Sequence, residues 1–350
     1  MKNWKRWLLA ILLTLVIAFV YYYINLPALN IHSAGFWCFV ILMVFVFAIV
    51  LSFRSVWKSG HVSFGKKGLD IQKGTMGPYR YLFYLGGVLL LIFLIGSVLS
   101  SPIINAKKYQ KLMQVEERDF TADIKEVDFN TIPLLDRDSA AILGSRKMGS
   151  MVDMVSQFEV ADDYTQINVS GKPVRVTPLM YASPIKWLTN QKNGIPAYIQ
   201  IDMTTQDTEC VKLTEGIKYS ESEMFNRYIW RHIRFRYPTY IFADQIFFEI
   251  DDEGTPYWIC PVKKFNIGLF GGVTVGRVVL CNAITGECTD YQADEVPTWV
   301  DKVYQAELLM QLYDYHGMLQ HGYLNSVLGQ RDCLQTTNGY NYIAMNDDVW

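Results

Sequence analysis

Three long stretches without a single charged side chain fill most of the first hundred residues, and they limit what this chain can become more than any other feature. They are Trp7 to Ile24, Phe36 to Phe53 and Tyr81 to Leu99, each 18 or 19 residues long. At about 1.5 Å per residue in a helix, each reaches roughly 27–29 Å, close to the hydrocarbon thickness of a bilayer. Aromatic residues gather at their ends: Trp7, Tyr21, Tyr22, Tyr23, Phe36, Trp37, Tyr81 and Tyr84. Such rings favour the membrane–water boundary. Lys2, Lys5 and Arg6 ahead of the first stretch would also suit a cleaved signal peptide. That stretch, however, exits through three tyrosines into Asn25-Leu26-Pro27, not through the small residues of a cleavage site. All three stretches are therefore expected to be retained membrane-spanning helices.

Charge gives the anchor a direction. Up to Arg80, nine Lys and Arg face one acid, Asp70, a balance of +8; beyond it 23 basic residues face 33 acidic ones, a balance of −10. Residues 25–35 carry no charge, whereas the loop 54–80 carries Arg54, Lys58, Lys66, Lys67, Lys73 and Arg80. Positive loops stay in the cytoplasm. The amino terminus and the loop are thus expected inside, and everything after Ser100 outside, in the cell envelope. The six cations are expected to touch anionic lipid headgroups or to act only as a topology signal. The five glycines of 54–80 predict an irregular segment. The acidic remainder excludes nucleic acid as its partner, because phosphate binding needs a basic face. The spans hold no ionisable side chain, which argues against an ion or proton path through them. Gly86, Gly87, Gly96 and Ser97 would let another helix approach closely, or reflect ordinary membrane-helix composition.

The rest divides into a linker and first strand over 102–137 and an α+β, mainly antiparallel domain over 138–350. Asp136 to Ser139 offers a helix N-cap, and Ile142, Met148, Met151, Val152 and Val155 then fall near helical spacing. Residues 164–169 and 173–176 alternate around Ser170-Gly171 and predict a hairpin. A short helix is expected over 184–191 and a strand over 197–203. A longer helix is expected from Ser220-Glu221-Ser222-Glu223 to Arg236, before Pro238. Residues 246–250 and 257–262 form the clearest hairpin, around Asp251-Asp252-Glu253-Gly254. Strands are expected over 273–281 and 289–291, and a helix from Pro297 to about Tyr315.

The helix at 220–236, the strands after it and the turn Asn282-Ala283-Ile284-Thr285-Gly286-Glu287 resemble a PepSY-type domain over about residues 220–300. In that family a strand ends in a D-x-x-T-G-E-like turn; here Asn282 stands in place of the usual acid. The resemblance implies a binding or regulatory module at the cell envelope and not a catalyst.

Candidate functional residues are few. Arg227, Arg231 and Arg234, with His232, would line one helix side as a face for an anionic ligand, or simply lie solvated among acids. Cys281 and Cys288 sit on opposite arms of one hairpin, so they are expected either as a cross-strand disulfide or as free buried thiols. No Cys/His spacing suggests zinc, no G-x-S-x-G is present, and neither a metal nor a cofactor is expected. Residues 340–345 should form a strand, with a turn at Asp347-Asp348. The stop at Val349-Trp350 is expected to mean a truncated form or a Trp350 docked in the core. The leading expectation is a non-catalytic binding or scaffold module, with the bilayer and another envelope or membrane protein as partners. A hydrolase-like envelope enzyme and a subunit of a larger membrane complex are the alternatives.

Overall fold

The computed structural model describes residues 3–59, 62–65, 68–71, 80–116, 119–123, 132–133, 135–337, 344–345 and 348–349. They form two compact units, one of Met1–Asn105 with Ile267–Gly271, the other of Ala106–Asn266 with Gly272–Trp350.

The first unit holds three helices, α1 (Asn3–Asn25), α2 (Ala34–Ser59) and α3 (Arg80–Leu99). All three are long and apolar enough to cross a membrane, over Trp7–Asn25, Ala34–Ser52 and Arg80–Leu99. Leu8, Leu12, Leu15 and Phe19 of α1 and Leu91, Leu94 and Val98 of α3 are exposed. Apolar side chains turned outward on a helix suit hydrocarbon, not water. Helix α2 runs past the expected end at Phe53, since nothing between Arg54 and Ser59 breaks a helix. The loop is therefore not irregular throughout. After α2 come two short antiparallel strands, β1 (Val62–Gly65) and β2 (Gly68–Ile71).

The expected small-residue contacts divide. A Cβ on Gly86 would stand 2.8 Å from the Phe45 ring of α2, so that glycine sets the approach of two helices. Gly87 faces open space. Gly96 meets Leu269, within the segment 267–271 that belongs to this unit. The Ser100 hydroxyl accepts from the Leu269 and Phe270 N–H groups at 2.9 and 3.2 Å, and His32 Nδ1 lies 2.8 Å from the Leu269 carbonyl oxygen.

Helix α4 (Pro102–Gln110) breaks its helical geometry at Asn105, where the two units divide. Among the described residues, 102–137 hold α4 and the single turn α5 (Phe120–Asp123); residues 124–131 of the expected linker and entry strand lie outside them. Helix α6 (Arg137–Ser150) starts at the expected cap: Asp136 accepts from the Ser139 N–H at 2.7 Å. It ends at Ser150 and buries Ala140, Gly144 and Met148; Ile142, Val152 and Val155 of the expected face are exposed.

A five-stranded sheet follows. It contains β3 (Phe158–Val160), β4 (Thr165–Val169), β5 (Lys172–Tyr181), β6 (Ile195–Asp202) and β7 (Thr208–Ile217), with α7 (Pro184–Asn190) after β5. Its order is β3-β5-β6-β7, and β4 also pairs with β5. The β4–β5 hairpin turns as expected on Ser170 and Gly171, both at positive φ, as a tight hairpin turn requires. The polar strand β7 went unread in the sequence.

The expected helix from Ser220 is shorter. Helix α8 spans Ile229–Arg236, behind a 3-10 turn at Phe225–Arg227. Ser220 instead makes a parallel bridge to Tyr228. The second sheet has order β11-β10-β9-β8, from β8 (Phe247–Ile250), β9 (Pro256–Ile267), β10 (Gly271–Asn282) and β11 (Cys288–Gln292). The middle of β9 and the end of β10 are buried on both faces. Trp258, Cys260, Val279 and Cys281 join the main core shared with the first sheet, while Ile259, Val278 and Leu280 pack with Val300 on the other side. That is the period of two in a strand, doubled. Helix α9 begins at Ala306, not at Pro297, and runs to Met318. At the carboxyl end β12 (Ala344–Met345) pairs with β13 (Asp348–Val349). Trp350 and residues 340–343 lie outside the described residues. The second unit is thus helices mixed with antiparallel sheet, as expected of an α+β fold.

Candidate functional site

The two sheets and the segment leading into α9 enclose a cavity of about 490 Å³ in the second unit. Its wall mixes apolar residues (Leu179, Phe247, Phe248, Trp258) with side chains of both charge signs (Arg175, Lys302, Glu221, Glu307). Strands β4 and β5 bring Gln166 and Arg175 to it, and β8 and β9 bring the aromatic rings. Tyr164 also lines it; its buried hydroxyl rests against Gly144 without a hydrogen-bond partner, and burial pushes its pKa to about 12.

One buried carboxylate supports the floor. Glu249 of β8 is fully buried, and its two oxygens accept the backbone N–H groups of Asp301 and Lys302 at 3.0 and 2.9 Å. Asp301 in turn accepts the Asn168 N–H of β4 at 2.5 Å. One strand of each sheet is thereby tied to the 301–302 segment, which places Lys302 in the cavity wall. Burial is the main reason that the Glu249 carboxyl is raised to about 8, with the Asp301 charge next. Burial lowers the Lys302 amine, against the pull of Glu249 and Asp301.

The arginines expected to share a face do not do so. Arg227 Nη1 donates to the Gln191 carbonyl at 2.5 Å, from the 3-10 turn. Arg231 Nη1 donates to the Phe225 carbonyl at 2.6 Å and its guanidinium lies over the Tyr228 ring. Arg234 is buried, donates to the Tyr237 and Tyr240 carbonyls, and stacks over Phe242. These guanidinium groups hold turns and helix ends together, a use of arginine that a charge pattern in sequence does not distinguish from an anion site.

Cys281 and Cys288 are direct cross-strand partners, as the hairpin predicts; both are buried and carry free thiols. What spacing did not reveal is that His232 of α8 stands beside them. Of the six expected headgroup contacts, Arg80 is exposed at the start of α3. Lys66, Lys67 and Lys73, and the side chains of Arg54 and Lys58, lie outside the described residues.

Comparison of the chain with known family models, curated proteins and solved structures finds no match. None of these comparisons supports the expected resemblance to PepSY-type domains.

Proposed function

We propose that this chain is a membrane-anchored envelope protein whose second unit stands outside the cytoplasm and binds a small organic ligand between its two sheets without transforming it. The cavity carries the reading. Ligand sites are concave, largely apolar and furnished with a few placed polar groups, and this one has the size and the mixture. Its aromatic wall with charges of both signs suits a ligand with an apolar body and both an anionic and a cationic group, such as a short peptide. The uncharged spans act as an anchor and as a docking surface for another envelope or membrane protein.

A hydrolase-like enzyme is the competing reading, favoured by a concave site with the shifted amine of Lys302 in its wall. Against it, both Glu249 oxygens are engaged by backbone N–H groups. Burial lowers the Lys302 amine, and the neighbouring Glu249 and Asp301 only oppose that shift. The cluster then serves to build the wall.

The test is a panel of di- and tripeptides added to the detergent-solubilised full chain during thermal unfolding. A ligand at a hundred times its Kd stabilises by about 2.7 kcal/mol. A subset should raise the unfolding temperature of the wild type and leave an Ala161→Trp variant, with its cavity filled, unmoved. No shift with any peptide, or the same shift in both proteins, rejects the proposal.

The orientation is tested separately. Val152 is 87% exposed, so Val152→Cys should add label from an impermeant maleimide on intact cells, above the wild-type background. No added label would place this unit inside.

A further inference from the structure

The side chains of Cys281, Cys288 and His232 converge from three elements. Strands β10 and β11 set the two cysteines directly opposite each other. Helix α8 buries Ile229 and Ile233 in the same core, and this packing holds the neighbouring His232 over the sulfurs. The ligand atoms of all three lie within 4.8 Å of one another. In a tetrahedral zinc site, with Zn–S about 2.3 Å and Zn–N about 2.0 Å, such atoms stand roughly 3.5–3.8 Å apart. Closing by up to about 1.3 Å is a rotamer adjustment, not a rearrangement.

We infer that His232, Cys281 and Cys288 bind a divalent metal ion of the zinc type, with two sulfurs and one imidazole as ligands. The chemistry of the pocket matches that load. Two thiolates neutralise a divalent cation, so the loaded cluster adds no net charge to a buried place. Each thiol that binds gives its proton to solvent.

The imidazole is oriented by a backbone carbonyl. His232 Nε2 donates to the Gly286 carbonyl at 2.7 Å, so a neutral ring carries its lone pair on Nδ1. The Tyr219 ring packs against the imidazole at 4.4 Å between centroids. Gly286 makes this arrangement feasible, because its φ is +75° and a Cβ there would fall 2.3 Å from the Tyr219 ring. The 282–287 turn thus supplies the carbonyl that orients the histidine and leads directly into the second cysteine.

The same two sulfurs would otherwise close a disulfide, and the two fates exclude each other. The experiment uses the reduced full chain in detergent, titrated with Co²⁺. One ion per chain should bind with thiolate-to-cobalt absorption and the visible bands of a tetrahedral site, and Zn²⁺ should bleach them. Cys288→Ser and His232→Gln should each weaken Co²⁺ at least about tenfold, while Cys210→Ser, outside the cluster, should not. Because core variants can fail to fold, a second measurement uses the wild type alone: Zn²⁺ should protect Cys281 and Cys288 from alkylation, read by peptide mass mapping. Absence of the thiolate–cobalt band, absence of protection, or a Cys281–Cys288 disulfide in protein whose thiols were blocked at lysis would each overturn the inference.

Discussion

Replacing Glu249 with alanine should lower the unfolding free energy by about 3–5 kcal/mol, the combined cost of two orphaned buried donors and a cavity. The carboxylate has no exposure, and its oxygens are the acceptors for the Asp301 and Lys302 backbone N–H groups. Alanine leaves both donors buried without a partner and opens a cavity. Chemical denaturation of the detergent-solubilised chain, followed by near-ultraviolet circular dichroism, measures the loss. A change under about 1 kcal/mol would mean that water reaches the 301–302 segment. The same residue sets a pH dependence. Its folded pKa of about 8 lies above the ordinary 4.5, so the folded state holds the proton more tightly. The stability this brings is complete below pH 4.5 and is lost as pH rises through 8. The wild type should therefore be weaker at pH 9 than at pH 5, and Glu249→Gln should flatten that part of the slope. An equal slope in both proteins would assign the titration to another group.

Glu223→Ala should cost about 3 kcal/mol, since it orphans two buried donors at once. Glu223 is 3% exposed; its oxygens accept from the Tyr181 hydroxyl and the Trp187 indole N–H, both at 2.7 Å. Burial raises its carboxyl above the usual range, against the two hydrogen bonds that favour the ionised form. Glu223→Gln keeps one acceptor and should lose roughly half as much. If alanine and glutamine cost the same small amount, the two donors have found other acceptors and the network is not structural.

Glu223 also explains why one helix was misread. Ser220-Glu221-Ser222-Glu223 has the composition of a helix start, with an acid placed to cap it. The carboxylate instead reaches across to Tyr181 and Trp187, and the Ser220 carbonyl accepts the Ile229 N–H at 3.1 Å. The helix then begins only at Ile229. The other late helix start has the same kind of cause. Pro297 is well suited to open a helix, but the N–H groups of Asp301 and Lys302 are drawn to Glu249, and the chain becomes helical only at Ala306. In both places a distant carboxylate outcompetes a local signal, which no reading of neighbours along the chain detects.

By itself the sequence determined the three apolar runs and the hairpins β4–β5, β8–β9 and β10–β11. An uncharged apolar run of 18 residues is long enough, as a helix, to cross a bilayer. Gly171 and Gly254, both at positive φ, turn the chain through the backbone freedom of glycine. These are local effects, decided by a residue and its neighbours. Tertiary structure alone decided which side chains meet. It drew the three arginines onto backbone carbonyls, gathered Glu249 with the 301–302 segment, and set His232 over two cysteines on strands far along the chain. Such meetings follow from burying two sheets against each other, and their energy comes from desolvation and hydrogen bonding across elements. No spacing in the sequence records them.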